Sequence, residues 1–130
     1  MAEYLLDSDA IIDALNRKRQ RRELIRDLVA AHQAVGYCSI SVTEVYAGLR
    51  SEDEAAAEEM FASLDYHEVT WEIARRAGRL KRDYTRQGVT LSLADTTIAA
   101  VALAHGLMLV TGNLSDFPMP ELRFYPGATR

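Results

Sequence analysis

In the segment YLLDSDAII, residues Tyr4–Ile12, an apolar strand runs directly into a helical pattern through two acids, which is typical of an α/β fold. Asp7 stands at the carboxyl end of the predicted strand, which is where open α/β sheets place their ligand chemistry. A carboxylate there loses part of its hydration and keeps its charge more easily beside a cation. A cap at Ser8 or Asp9 for the next helix explains one residue of this turn but not both acids.

Strand-like and helix-like segments alternate along the rest of the chain. This alternation predicts an α/β fold with a mostly parallel sheet that helices cover on both faces. Right-handed crossovers then align the carboxyl ends of the strands along one edge. The sequence predicts strands over residues 3–7, 37–40, 66–69, 107–110 and 122–124. It predicts helices over residues 9–16, 19–34 (ended by Gly36), 42–49, 53–64, 71–86 and 93–105.

Composition and charge limit the classes of protein to which this sequence can belong. The 130 residues are 48% hydrophobic, which suits one globular domain spanning residues 1–130. No apolar run is long enough to cross a bilayer and no signal peptide is apparent, so we expect a cytoplasmic protein. The single cysteine, Cys38, lies in an apolar stretch and is expected in the core. The net charge of −4 argues against unspecific coating of nucleic acid, but it leaves a local polyanion site open.

Four acids are predicted to lie near one edge of the sheet. Asp7 follows the first strand, Glu44 the second and Asp116 the fourth. Asp95 lies near the start of the helix that precedes the fourth strand. Mg²⁺ and Mn²⁺ prefer such hard oxygen ligands, and bound ions activate water and stabilise a leaving oxygen. The set therefore indicates metal-dependent phosphodiester cleavage.

Three of these acids also have simple structural explanations. The pattern Ser41-x-x-Glu44 is typical of a capping box. Ser92-x-x-Asp95 has the same form, and Asp116 could cap a short turn. Separate caps do not explain why the acids gather at one edge, so both interpretations stay open at this point.

Other site chemistries have less support. His32, His67 and His105 show no ligand spacing and there is one cysteine, so zinc is disfavoured. No nucleophile elbow supports Ser-His-Asp catalysis, and neither a P-loop nor a GxGxxG motif is present. Two basic clusters could contact phosphates or form solvated helix faces. They comprise Arg17, Lys18, Arg19, Arg21 and Arg22, and then Arg75, Arg76, Arg79, Lys81, Arg82 and Arg86.

Four segments resemble the motifs of PIN-domain proteins, and of VapC-type toxins in particular. They are YLLDSDAIID (4–13), ISVTEVYAGL (40–49), LADTTIAA (93–100) and LVTGNLSDF (109–117), in the order of the family. Together the motifs reach from the N-terminus to residue 118. The polar residues at the motif positions are Asp7, Glu44, Asp95, Thr111, Asn113 and Asp116.

The resemblance implies an α/β/α fold whose parallel sheet has the strand order 3-2-1-4-5. It also implies an endoribonuclease toxin that depends on Mg²⁺ or Mn²⁺. In such an enzyme a metal-activated water attacks the phosphate in line and leaves a 5′-phosphate and a 3′-hydroxyl. The implied catalytic residues and metal ligands are Asp7, Glu44, Asp95 and Asp116, with Ser8, Thr111 and Asn113 positioning ligands or water.

The resemblance further implies two partners besides RNA. The toxins pair with a small antitoxin, and they usually form homodimers that the antitoxin can join into larger assemblies. Met60, Phe61 and Trp71 are candidate antitoxin contacts, although a place in the core is the simpler expectation for them. The basic cluster over residues 17–22 is the candidate surface for the RNA backbone.

Two positions depart from the family pattern. Asp9 stands where Asn or Ser is frequent, and we expect it to cap the helix rather than to bind metal. Gly112 stands where an arginine is common in the fourth motif, which removes a possible phosphate contact.

Two other functions fit part of the pattern. Asp7-Ser8-Asp9 after a strand also fits a haloacid dehalogenase-type phosphohydrolase, in which Asp7 would be the nucleophile. That class needs a later lysine, and neither Lys18 nor Lys81 follows a strand. A non-catalytic module that uses the acids only for docking is the second alternative.

Overall fold

The computed structural model describes residues 3–16, 19–31 and 33–126. Within these ranges five strands form one sheet: β1 Glu3–Leu6, β2 Ala34–Cys38, β3 Asp65–His67, β4 Met108–Val110 and β5 Arg123–Phe124. The α-helices are α1 Ser8–Leu15, α2 Arg19–Ala30, α3 Ser39–Gly48, α4 Glu54–Ala62, α5 Trp71–Arg86 and α6 Leu93–His105. Short 3₁₀ turns occupy Ser51–Asp53 and Leu114–Asp116.

The sheet is parallel throughout and has the order β3-β2-β1-β4-β5, so the predicted fold class is confirmed. The strands β2 and β3 lie on one side of β1, and the strands β4 and β5 lie on its other side. The switch point therefore lies between β1 and β4, where Leu6 is in register with Val110. Ligand crevices in open α/β sheets form at such points, outside the carboxyl ends of the strands.

The core consists of two apolar layers, one on each face of the sheet. Successive side chains of a strand point to opposite faces. Leu5 accordingly packs in the layer that α5 and α6 cover, and Leu6 packs in the layer that includes residues of α1, α2 and α4. Cys38 is fully buried and unpaired, as predicted, and burial raises the pKa of its thiol.

The boundary between α2 and β2 differs from the prediction. Gly36 does not end a helix but lies inside β2, paired with Leu5 on one side and Asp65 on the other. A Cβ on Gly36 would stand 2.6 Å from the ring of His67. The glycine therefore marks a close approach within the sheet, a role that its sequence neighbours do not distinguish from a helix stop.

The helices that precede β4 follow the prediction to the residue. α5 covers 71–86 and α6 covers 93–105. Thr70 caps α5 by accepting a hydrogen bond from the Ile73 amide, and Gly106 ends α6 at φ +64°. These are local signals of the kind that sequence records well. No helix in the described part of the chain is both long and apolar enough to cross a bilayer.

Candidate active site

Asp7 is buried at the switch point with both carboxylate oxygens bonded. The residue is 4% exposed; Oδ1 accepts from the Ala10 amide at 2.7 Å and Oδ2 from Thr111 Oγ1 at 2.5 Å. Burial raises the pKa of Asp7 to about 6, and the charge of Asp9 adds to the rise. The two hydrogen bonds and the positive charge of Arg21 act in the opposite direction. The carboxylate is thus held in one orientation at a site that disfavours its charge.

Asp7 is itself the N-cap of α1, so the predicted caps at Ser8 and Asp9 are wrong. Its backbone is extended, at φ −77° and ψ 169°, so the residue continues the direction of β1 while its side chain turns back to the first turn of α1. Ser8 is buried, and Asp9 is exposed in that first turn. One residue therefore serves as the strand end, the helix cap and a site carboxylate.

A chain of hydrogen bonds runs from Asp7 to Asp116 through the loop after β4. Thr111 Oγ1, which donates to Asp7, accepts from the Asn113 amide at 3.0 Å. Asn113 Nδ2 donates to Asp116 Oδ2 at 2.7 Å, and Ser115 Oγ donates to Asn113 Oδ1 at 2.7 Å. The polar residues of the fourth motif thus fix one another and hold Asp116 at the same edge as Asp7.

Asp95 lies in the first turn of α6 and is half-buried. Its amide donates to Ser92 Oγ at 3.0 Å, which confirms the predicted cap. Burial raises the pKa of its carboxyl group, and the negative charges of Asp116, Glu44 and Asp9 raise that pKa further. Since Asp9 acts on Asp7 as well, the acids from four separate segments share one electrostatic site.

Glu44 lies in α3, the helix that directly follows β2. The N-cap of α3 is Cys38, so Ser41 lies inside the helix and the predicted capping box is wrong. Ser8 Oγ donates to Ser41 Oγ at 3.0 Å, and both side chains are buried. This bond ties the start of α1 to the first turn of α3, and Glu44 follows with its side chain exposed. Ser41 is a residue of this edge that we predicted only as a cap. A small polar residue between the apolar Ile40 and Val42 is the sequence feature that indicates its buried role.

The donor set suits a hard divalent cation, but the side chains are not drawn together around one. Among residues 3–16, 19–31 and 33–126, no three His, Cys, Asp or Glu side chains are grouped tightly enough to hold a metal ion as they stand. The donors at this edge are carboxylate oxygens, which Mg²⁺ and Mn²⁺ prefer. Burial and then the negative charges of Asp116, Glu44 and Asp9 raise the pKa of Asp95, and a bound cation would favour its charged form.

One arginine of the predicted basic cluster lies at this site. Arg21 is half-buried near the start of α2, and its Nη2 lies 3.0 Å from where a Cβ on Gly112 would be. Arg22 instead lines a groove of about 490 Å³ between α2 and α4. Arg17, Lys18 and the side chain of Arg19 lie outside the described residues.

That groove and a second cavity lie away from the acids. The groove is mostly apolar and includes Met60, whereas Phe61 is a core residue and Trp71 is 73% exposed, contrary to the core expectation. The second cavity, about 530 Å³, contains three arginines and His105. His105 is the last residue of α6, and Asp95 lies in the first turn of the same helix, about 15 Å away at 1.5 Å per residue. The residues that line this cavity are Thr70, Glu72, Ile73, Arg75, Arg76, Arg79, Ala104 and His105.

The chain forms a parallel α/β domain with the strand order β3-β2-β1-β4-β5, and its residues 4–117 match the family model of the PIN domain. The chain belongs to the PIN-domain family. It is 31% identical over 120 residues to Ribonuclease VapC19 of Mycobacterium tuberculosis, covering 92% of this chain and 96% of that protein. It is 34% identical over 119 residues to Ribonuclease VapC10 of the same organism, covering 90% and 87%.

Solved structures share the fold along nearly the whole chain. VapBC2 of Rickettsia felis, bound to a DNA fragment from its promoter, superposes with a TM-score of 0.82 at 19% identity and covers 94% of this chain and 96% of that chain. DNA-bound VapBC of Salmonella typhimurium gives 0.79 at 24% identity and covers 96% and 98%. At these identities the likeness establishes the fold.

Proposed function

We propose that the chain is a metal-dependent endoribonuclease toxin of a VapBC-like toxin–antitoxin system, formed by one PIN domain and acting in the cytoplasm. The observation that carries the proposal is the position of Asp7, which is buried at the switch point of the sheet and joined to Asp116 through the hydrogen bonds of Thr111 and Asn113. Glu44 and Asp95 come from two further segments, and the negative charges of Asp116, Glu44 and Asp9 act on the half-buried Asp95. Its curated relatives VapC19 and VapC10 are named ribonucleases, which supports the same chemistry here.

The four acids differ in their exposure to solvent, with Asp7 buried and the other three more open. Asp7 is fixed by its two hydrogen bonds, whereas Asp95 and Asp116 are half-buried and Glu44 is exposed. The proposed ligands of Mg²⁺ or Mn²⁺ are Asp7, Glu44, Asp95 and Asp116. A cation bound by them would supply charge neutralisation at the phosphate and a lowered pKa for water.

The protein's own residues would position the ligands and the substrate. Thr111 holds Asp7, Asn113 holds Asp116, and Ser8 fixes the two helices that carry Asp9 and Glu44. In the proposed reaction a water oxygen bonds to phosphorus and the P–O3′ bond breaks. The leaving oxygen takes a proton, which gives a 5′-phosphate and a 3′-hydroxyl.

We propose the basic cluster at the start of α2 as the surface for the RNA backbone. Its members are Arg17, Lys18, Arg19, Arg21 and Arg22. Phosphate contacts by Arg and Lys position an RNA without reading its sequence. The position of Arg21 at Gly112 supports this assignment, because it brings the cluster to the rim of the acid site.

A small antitoxin is the proposed protein partner, as the VapBC complexes among the structural relatives suggest. The groove between α2 and α4 is the candidate surface, because it is largely apolar and bordered by Arg22, Arg26 and Glu59. An amphipathic helix fits a groove of this kind. The toxin itself is proposed to form a homodimer.

RNA cleavage by the purified protein, freed of antitoxin, tests the proposal. Wild-type protein with Mn²⁺ or Mg²⁺ should cut host RNA, EDTA should stop the reaction, and sequencing of the new 5′ ends should locate the cuts. Asp95→Asn should lower the rate at least about a hundredfold, since metal ligands and their partners have effects of this size. The control Asp83→Asn removes an exposed acid that pairs with Arg82 and should stay within about twofold.

Two results would contradict the proposal. Wild-type protein that cuts no host RNA with either metal would exclude the ribonuclease. Covalent phosphorylation of Asp7 during turnover of a small phosphate ester would favour the phosphohydrolase instead. The use of Lys81 Nζ as a donor to the Leu91 carbonyl at 2.5 Å argues against that alternative, which needs a lysine at the phosphate.

A further inference from the structure

Arg21 differs from its neighbours in the basic cluster because its guanidinium reaches the loop after β4. It is half-buried in the first turn of α2, and Nη2 lies 3.0 Å from the position of a Cβ on Gly112. Gly112 directly follows Thr111, whose hydroxyl bonds Asp7. The helix α2, which packs on one face of the sheet, thus places one positive charge at the edge of the acid site.

The donors of this guanidinium are not used by the carboxylates around it. Arg21 has no ion pair within 4.0 Å among the described residues, although its positive charge acts to lower the pKa of Asp7. An arginine that served only to neutralise the acids would be in contact with one of them. The five N–H donors of a guanidinium are arranged to match phosphate oxygens, often two at a time.

We propose that Arg21 contacts the phosphate of the RNA strand that lies in the acid site, and that Gly112 leaves the space the guanidinium needs. The inference rests on the proposed ribonuclease function. It separates Arg21 from the other members of the cluster, which would contact the backbone away from the reacting phosphate.

Substitution of Gly112 provides a second test of the position of the Arg21 guanidinium. A Cβ 3.0 Å from Nη2 is tighter than an ordinary contact, so Gly112→Ala should displace the guanidinium by a few tenths of an ångström. Gly112→Val should displace it further. Both variants retain Arg21 and the net charge, so any loss they cause reports the position of the guanidinium and not its presence.

RNA binding in EDTA provides a readout that is independent of cleavage. The probe is a short single-stranded RNA of mixed sequence with a fluorescent end label, titrated over a range of KCl concentrations. Arg21→Gln should raise Kd about tenfold and lower the salt slope by about 0.7, the value for one phosphate contact on a single strand. The Kd of Arg21→Lys should lie between those of wild type and Arg21→Gln, since lysine keeps the charge but loses the paired N–H donors of the guanidinium.

The charge-matched control is Arg50→Gln. Arg50 is exposed and pairs with Glu52 and Asp53 on a different part of the surface. Its loss removes the same charge and should leave Kd within about twofold. Thermal unfolding of each variant checks that the fold is retained. In cleavage assays, Arg21→Gln should lower kcat/KM at least about tenfold.

Three outcomes decide the proposal. Equal RNA affinities for Arg21→Gln and Arg50→Gln would overturn it. Slower cleavage with unchanged RNA affinity and salt slope would also overturn it, because Arg21 would then act only on the carboxylates. Wild-type protein that binds RNA but does not cut it would contradict the proposed function, and the binding comparison would still decide the role of Arg21.

Discussion

Thr111 Oγ1 donates a 2.5 Å hydrogen bond to Asp7 Oδ2, which joins two residues 104 positions apart across the switch point. The same hydroxyl oxygen accepts from the Asn113 amide, so one side chain connects β1 with the loop after β4. Because Asp7 is buried, this bond supports both the fold and the orientation of a proposed metal ligand.

Replacement of Thr111 by valine should therefore destabilise the protein. The change leaves a buried carboxylate oxygen and a backbone amide without partners, which costs about 1–3 kcal/mol. Urea denaturation of the metal-free protein measures the loss. In the control Thr97→Val, the lost hydroxyl bonds a carbonyl within its own helix, and the change should stay within about 0.5 kcal/mol. Equal losses in the two variants would contradict this role of Thr111.

Asp7 should make stability depend on pH in a defined direction. Its pKa is about 6 in the folded protein against 3.8 for the ordinary group, so the folded state binds more protons between these values. Stability from this group is thus present below pH 4 and is lost as pH rises to about 6, by up to about 3 kcal/mol. Asp7→Asn lacks this titration and keeps an oxygen for the helix cap.

The measurement is urea unfolding of wild type and Asp7→Asn from pH 4 to pH 8, in EDTA. The stability of wild type relative to the variant should fall across pH 4–6 and level off above it. A difference that stays constant, or that grows in favour of wild type, would show that burial does not raise the pKa of Asp7.

Divalent cations should stabilise the folded protein through the same acids. Mn²⁺ at a hundred times its Kd should add about 2.7 kcal/mol, because it binds the folded state and not the unfolded chain. Asp95→Asn should lose most of this stabilisation, and Asp83→Asn should keep it. A melting temperature that rises equally in all three proteins would place the cation elsewhere.

Gly36 should tolerate no side chain. Gly36→Ala places a Cβ 2.6 Å from the His67 ring and 2.9 Å from the Asp65 carbonyl oxygen, which overpacks the sheet by about 1–3 kcal/mol. In the control Gly48→Ala, nothing lies within 4 Å and the position is helical, so the change should stabilise by about 0.4–1 kcal/mol. Chemical denaturation measures the free energy of unfolding, which should fall in Gly36→Ala and rise in Gly48→Ala.

The sequence predicted well those features that local chemistry determines. The ends of α5 and α6 follow from the capping residues Thr70 and Ser92 and from glycines at positive φ. The boundary at Gly36 was missed because its reason is tertiary: the residue faces His67 across the sheet. Local pattern does not distinguish a glycine that ends a helix from one that admits a neighbouring strand.

The same division holds at the candidate site. The predicted parallel strands indicated that Asp7 and Asp116 lie at one edge of the sheet. The double role of Asp7 as cap and site residue, the bond between Ser8 and Ser41, and the reach of Arg21 to Gly112 depend on packing between helices. No spacing in the sequence indicates these relationships.

The central claim is that acids from four segments form one divalent-cation site. Anomalous diffraction from crystals grown with Mn²⁺ tests it most directly. We expect a manganese peak bound by Asp7, Asp95 or Asp116 carboxylate oxygens, with Glu44 at the rim, and loss of the peak in Asp95→Asn. A peak elsewhere, or a site without manganese at saturating concentration, would contradict the claim.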